Sequence, residues 1–200
     1  ATCQRLLDHL DPTALRGTVV IVPIVNVLGV QIGSRYLPDR RDLNRSFPGS
    51  HSGSMAARIA RLVVDEVIAG SSVGLDLHTA SNHRTNVPQT RVDLEDPVAR
   101  SLAVTFGAPF VLAARLRPGS LREAAAARGV PVLTYEAGEP LRFDERAINV
   151  AFRGVIRVLS RLDMIDDDLP PSHGTPMVLL ESRWLRAERG GLLQLHCSTR

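Results

Sequence analysis

The chain has 200 residues, of which 44% are hydrophobic and 22% are charged, a composition typical of one globular domain with a buried core. Its formal net charge is +3 and only 4% of the residues are aromatic, so there is no reason to expect a nucleic-acid-binding surface. No apolar run approaches the roughly 18 residues that a membrane-spanning helix needs. The two cysteines, Cys3 and Cys197, are too far apart in sequence to form a CxxC metal or redox motif.

The first half of the chain predicts two helices, two strands and one long loop. The helices are expected at 2–10 and 53–69, the strands at 18–25 and 73–77, and the loop at 26–52. The run at 18–25 is almost continuously apolar and β-branched, which is typical of a strand covered on both faces, as in a parallel sheet. Loops as long as 26–52 inside a compact domain are usually functional or disordered.

The second half continues the alternation of helices and strands. Helices are expected at 96–106, 120–128 and 143–162, and strands at 109–113 and 130–135. This alternation predicts an α/β fold with a mixed or mostly parallel central sheet and flanking helices. We expect a catalytic α/β domain over 1–165, a linker over 166–175, and an incomplete C-terminal β domain over 176–200 that begins with a hairpin.

The segment from Arg35 to Gly49 combines several arginines with two prolines. An arginine side chain presents a planar, permanently charged fork that binds carboxylates through two hydrogen bonds. Prolines restrict the motion of such a loop, which suits a binding site for an anionic small molecule. A solvated basic loop is the alternative, because most charged runs face solvent.

Two further candidates follow predicted strands. His78 has Asp76 two residues before it, so both side chains should lie on one face of the strand. A carboxylate beside an imidazole is the usual support of a metal-ligating histidine, although an isolated buried histidine is more often a core residue. Glu136 follows the strand at 130–135 and could act as a general base, or could equally be an exposed residue that opens a turn.

Taken in order, these segments closely resemble the succinylglutamate desuccinylase/aspartoacylase family, whose members are zinc-dependent deacylases with a zinc-carboxypeptidase-like fold. The resemblance rests on Asn26, Gly33-Ser34-Arg35-Tyr36-Leu37-Pro38, Asp42-Leu43-Asn44-Arg45-Ser46-Phe47-Pro48-Gly49, Asp76-Leu77-His78-Thr79 and Tyr135-Glu136-Ala137-Gly138. It runs over essentially the whole chain.

The resemblance implies a role for each matching residue. His78 would be a zinc ligand supported by Asp76, and Glu136 would activate water and then protonate the leaving amine. Arg35 would polarise the scissile carbonyl and stabilise the oxyanion. The substrate-binding residues implied are Asn44, Arg45 and Arg91. The substrate would be an N-acyl amino acid, and the cofactor would be zinc.

The chain departs from the family pattern at one motif. Members carry two further zinc ligands in an H-x-x-E motif, and no histidine here is followed by glutamate at that spacing. Because a catalytic zinc needs three protein ligands and an open position, we expect residues 1–200 to be a fragment that binds zinc poorly and is inactive alone.

Three other possibilities remain open from the sequence. The same fold would support a metallocarboxypeptidase that acts on short peptides, and a member without its metal would be a non-catalytic carboxylate-binding module. An inactive fragment is the third possibility. A homo-oligomer is possible, and the cytoplasm is the default expectation for such a metabolic enzyme.

Overall fold

The structure is a computed structural model that describes residues 1–81, 84–166, 169, 174–192 and 194. Its α-helices are α1 (Thr2–His9), α2 (Val27–Gln31), α3 (Met55–Val63), α4 (Pro97–Phe106), α5 (Leu121–Ala126) and α6 (Glu145–Arg161). Its strands are β1 (Gly74–His78), β2 (Asn86–Val92), β3 (Phe110–Ala113), β4 (Val132–Gly138) and β5 (Met177–Leu179). A 3₁₀ turn covers Leu43–Arg45, and α3 continues as a π-helical turn over Val64–Ile68. Within the described residues, no helix is long and apolar enough to cross a membrane.

The five strands form one sheet in the order β1-β4-β2-β3-β5. The β1–β4, β2–β3 and β3–β5 pairs are parallel, and β2–β4 is antiparallel. The predicted mixed, mostly parallel sheet with flanking helices is therefore confirmed. It places the ends of β1 and β4 beside one another, next to the beginning of β2.

Local sequence signals explain most of the helix boundaries. Ser54 accepts a hydrogen bond from the Ala57 amide at the start of α3, as an N-cap serine does. Asp96 caps α4 in the same way, with Pro97 at the first helical position. Gly70 follows the π-helical turn with a φ of +84°, a conformation that glycine adopts without strain.

The predicted strand at 18–25 is wrong. No strand forms there, because the segment is not paired with any strand in the described part of the chain. Val19 and Ile21 pack against the main core, whereas Val20, Val22 and Ile24 are exposed. The apolar run therefore packs against the core with one side, while its other side is exposed.

Two further predictions needed correction. The loop at 26–52 contains α2, whose start is capped by the side chain of Asn26.

No hairpin forms in the described C-terminal residues, because Met177–Leu179 joins the main sheet in parallel with β3. Part of the second hairpin strand and most of the predicted linker lie outside the described residues. The division into domains stays a prediction.

Strand β2 was not predicted at all. It contains Pro88 and several polar residues, and a proline normally argues against a strand inside a sheet. The pairing with β4 shifts register between Asn86 and Gln89, so the proline lies where the ladder is interrupted. This irregularity is what allows the sequence to form a strand there.

Helices α4 and α6 pack together over a fully buried Phe106. A Cβ atom at Gly154 of α6 would lie 2.5 Å from the Phe106 ring. The glycine thus lets the helix approach the ring closely, at the expense of helix propensity.

We expect Gly154→Ala to destabilise the chain, by about 1–3 kcal/mol, because overpacking the core outweighs alanine's better helix propensity. Urea unfolding would measure the change. Phe106→Leu serves as the control, since the double variant should lose less than the sum of the two single variants. A Gly154→Ala variant that is more stable than the wild type would contradict this account.

Candidate functional site

The site is organised by one pair of neighbouring strands. His78 at the end of β1 is the register partner of Glu136 on β4. Register partners on adjacent parallel strands project from the same face of the sheet. The two residues that the sequence singled out separately therefore lie side by side.

The imidazole of His78 is held by a carboxylate from its own strand. Its Nε2 lies 2.7 Å from Oδ2 of Asp76. When Nε2 carries the proton and donates it to Asp76, Nδ1 remains available as an acceptor or ligand. The charge of Asp76, and secondarily that of Glu136, raises the pKa of His78, while burial opposes this effect. Asp76 therefore orients His78, and the role of His78 as a metal ligand stays a prediction.

Glu136 is held from the other side by β2. The side-chain amide of Asn86 donates to Oε2 of Glu136 over 2.5 Å, and Nη1 of Arg91 lies 3.6 Å from Oε1. The glutamate side chain is 19% exposed, so it is reachable from solvent while its orientation is fixed. Arg91, which was expected to bind substrate, is thus placed beside the expected base.

Arg35 is already paired with a carboxylate of its own loop. Its Nε and Nη2 both donate to Oδ2 of Asp42, over 3.0 and 2.8 Å. The positive charge of Arg35 acts to lower the pKa of His78, as the last and smallest of the effects on that group. Asp42 holds the Arg35 guanidinium in a defined orientation, and its contact with substrate stays a prediction.

Asn44 and Arg45 lie in the 3₁₀ turn of the same loop. Oδ1 of Asn44 accepts a hydrogen bond from the Leu121 amide over 2.8 Å, and Nη1 of Arg45 donates to the carbonyl oxygen of Asn44. Partial loss of solvation, followed by the positive charges of Arg117 and Arg35, lowers the pKa of Arg45, with Asp42 opposing. Such a concentration of positive charge favours an anionic ligand.

Sequence reasoning missed Arg117 and Arg122. Arg122 on α5 donates to the carbonyl oxygens of Ala114 and Arg115, and burial lowers its pKa. Arg122 also donates to the carbonyl oxygen of Arg91 over 3.4 Å, so its guanidinium lies against the backbone of β2. No local pattern distinguishes these two arginines from the many others in the chain.

The described residues do not by themselves complete a three-ligand metal site. Within them, no group of three or more His, Cys, Asp or Glu residues could hold a metal ion. His78 supplies one nitrogen, whereas His51 is 80% exposed beside Asp65. His83, His173 and His196 lie outside the described residues.

Comparisons with known proteins agree on one family. The model of the succinylglutamate desuccinylase/aspartoacylase catalytic domain matches residues 1–162. An N-alpha-acetyl-L-2,4-diaminobutyric acid deacetylase from Halomonas elongata is 28% identical over 204 residues, covering 96% of this chain and 59% of the relative.

Solved structures show the same similarity. A succinylglutamate desuccinylase/aspartoacylase from Rhodobacter sphaeroides is 28% identical with a TM-score of 0.75, over 88% of this chain and 52% of its own. The product-bound ectoine utilization protein of Ruegeria pomeroyi has a TM-score of 0.82 at 21% identity, over 90% of this chain and 57% of its own. This chain therefore spans a little more than half the length of the relatives it matches.

The ion pair between Arg35 and Asp42 predicts a measurable contribution to stability. Asp42→Asn keeps an oxygen that can accept the Asn44 amide but removes the charge that binds Arg35. We expect a loss of about 1–2 kcal/mol in urea unfolding, because hydrogen bonds to charged groups are stronger than neutral ones.

The matched control is Glu145→Gln, which removes an exposed ion pair with Arg5. That change should cost less than about 0.5 kcal/mol, as exposed pairs usually do. Equal losses from the two variants would show that Asp42 does not fix Arg35.

Proposed function

This chain belongs to the succinylglutamate desuccinylase/aspartoacylase family, and from that premise we propose that it forms the catalytic part of a zinc-dependent deacylase of N-acyl amino acids. The observation that carries the proposal is the register pairing of His78 with Glu136 at the end of adjacent parallel strands. The segment 35–49, called the arginine loop from here on, would supply the groups that bind the substrate's negative charges. A ligand for metal, a base and a carboxylate-binding group are the parts that amide hydrolysis of such a substrate needs.

Glu136 is the proposed base. It would take a proton from the water that attacks the amide carbonyl, so that an oxygen–carbon bond forms as the carbonyl oxygen becomes negative. The same carboxyl group would then give the proton to the nitrogen as the carbon–nitrogen bond breaks. The hydrogen bond from Asn86 holds one carboxylate oxygen and leaves the other to exchange the proton.

We propose that Arg35 and Arg45 each interact with a different negative charge of the reacting substrate. Arg35 would stabilise the oxyanion that forms on the carbonyl. Arg45, close to a second cation in Arg117, would bind the carboxylate of the amino acid. The Halomonas elongata relative is named as a deacetylase of an acetylated diamino acid. That substrate is therefore the first to test.

Zinc enters the proposal through the Nδ1 atom of His78. A bound zinc ion supplies Lewis acidity and lowers the pKa of its water. Since the described residues form no group of three ligands, further ligands would come from outside them, and the reaction steps above do not depend on their identity.

A non-catalytic carboxylate-binding module is the second candidate. The observation in its favour is the arginine loop, whose shape is held by the pairing of Arg35 with Asp42 and by packing against α5. Such a module would bind an N-acyl amino acid through Arg45 without turning it over.

The first test of the deacylase is Glu136→Gln, made in the intact, zinc-bound protein. We expect turnover of Nα-acetyl-L-2,4-diaminobutyrate to fall by about two to four orders of magnitude, because a general base contributes about that much. Affinity for zinc and for substrate should change little, because the amide keeps the shape of the carboxyl group. Released amine would be measured in single-turnover assays.

Glu139→Gln is the matched control for that test. Glu139 lies three residues further along and bonds to Thr85 at the rim, so its variant should keep full turnover. Loss of bound zinc in Glu136→Gln, or unchanged turnover, would show that the role of Glu136 is misassigned.

The second test counts zinc per chain by elemental mass spectrometry after dialysis against trace zinc. We expect zinc bound by the intact protein to be lost in His78→Ala and kept in His51→Ala, because His51 pairs with Asp65 instead. Substrate binding that survives a chelator but is abolished by Arg45→Ala, with no turnover, would favour the binding module instead.

A further inference from the structure

The turn between β3 and α5, residues 117–121, lies directly against the arginine loop. The Leu121 amide donates to Oδ1 of Asn44 over 2.8 Å. In return, the Phe47 amide donates to the carbonyl oxygen of Gly119 over 3.0 Å. Two hydrogen bonds in opposite directions thus join the turn to the residues on both sides of Arg45.

Gly119 makes this contact possible. Its φ is +77°, and a Cβ atom there would lie 2.7 Å from the carbonyl oxygen of Arg45. Real Cβ atoms do not approach backbone oxygen so closely, so any other residue would displace either the turn or Arg45. The backbone of Arg45 therefore rests on a position that only glycine can occupy.

The turn is itself fixed to the body of the fold. Ser120 is buried and its Oγ accepts from the Glu123 amide, while Oε2 of Glu123 accepts from the Gly119 amide. This is close to a capping-box arrangement at the start of α5. A small core cluster containing Leu43, Phe47 and Ala124 then packs the arginine loop against the same helix.

The hydrogen bond to Leu121 also restricts what Asn44 can do. One lone pair of its side-chain oxygen is used within the protein, and only the amide nitrogen could donate to a carboxylate of a ligand. Through this bond Asn44 holds the turn, directly before Arg45 in the chain.

We propose that Gly119 and Asn44 are positioning residues, which hold Arg45 in the place where it binds the carboxylate of the substrate. This inference rests on the proposed function for the identity of the ligand. It proposes for Asn44 an alternative to the direct substrate contact that the resemblance implies, and it adds Gly119, which no motif had singled out. Both residues act through Arg45.

The test is a double-mutant cycle of Gly119→Ala with Arg45→Ala, made in the full chain. The probe is Nα-acetyl-L-2,4-diaminobutyrate, and its dissociation constant is measured by calorimetry. We expect Gly119→Ala alone to weaken binding by about tenfold or more, a change well resolved by calorimetry. In the Arg45→Ala background, the same substitution should have no further effect.

Gly129→Ala is the matched control. Gly129 follows the same helix with a φ of +72°, and nothing lies within 4 Å of the Cβ it would acquire. Gly129→Ala therefore introduces the same backbone strain without touching Arg45. The affinity of this variant for the probe should stay within about twofold of wild type. Equal weakening in the two glycine variants, or an undiminished effect of Gly119→Ala without Arg45, would overturn the proposal.

Asn44→Ala provides a second cycle in case Gly119→Ala does not fold. If Asn44 acts through Arg45, its effect on affinity should vanish once Arg45 is replaced. If it instead contacts the substrate through its amide nitrogen, the loss should persist in the Arg45→Ala background, and the positioning role of Asn44 would be wrong.

A binding-independent measurement separates this inference from the proposed function. Phenylglyoxal modifies accessible arginines, and peptide mass mapping gives the rate at Arg45 in each variant. We expect that rate to change in Gly119→Ala, or in Asn44→Ala if the glycine variant does not fold, and to stay constant in Gly129→Ala. An intact, zinc-bound wild type that neither binds nor hydrolyses the probe would refute the proposed function, while an unchanged rate at Arg45 would refute the positioning.

Discussion

The parallel pairing of β1 with β4 is the constraint on which the site depends. It sets His78 beside Glu136, and a shift of one residue in either strand would turn one of the two side chains to the opposite face of the sheet. The antiparallel partner β2 then brings Asn86 and Arg91 to the glutamate. The proposed ligand, the proposed base and the polar groups that contact the base thus come from three neighbouring strands, which are the most rigid elements available.

The arginine loop reaches this site by a different means. It has little regular structure of its own, so its shape is maintained by internal pairs and by packing against α5. Asp42 fixes Arg35, and the turn at Gly119 supports the backbone of Arg45. Bringing several guanidinium groups together costs electrostatic free energy in the unliganded protein, which an anionic ligand would recover. The loop therefore holds guanidinium groups that repel one another on a backbone that is fixed by packing.

Sequence patterns predicted the helices well because the signals are local. Ser54, Asp96 and Ser120 each cap the helix that follows them, and the apolar periods mark the buried faces. The strand at 18–25 failed because a β-branched run reports a preference for extended backbone, whereas a strand also needs a partner. Strand β2 was missed for the converse reason. Its polar residues and Pro88 do not predict a strand, because the strand forms only by pairing with β4 in an irregular register.

By itself the sequence determined the α/β class, the family and the identity of the candidate residues His78, Glu136, Arg35 and Arg45, because motif residues and helix caps are encoded within short stretches. Only the tertiary structure decided how they meet. It paired Arg35 with Asp42, set Arg91 against Glu136, and engaged the side-chain oxygen of Asn44 with a helix more than seventy residues away. Contacts between segments so distant in sequence depend on strand register and packing, which no short stretch of sequence encodes.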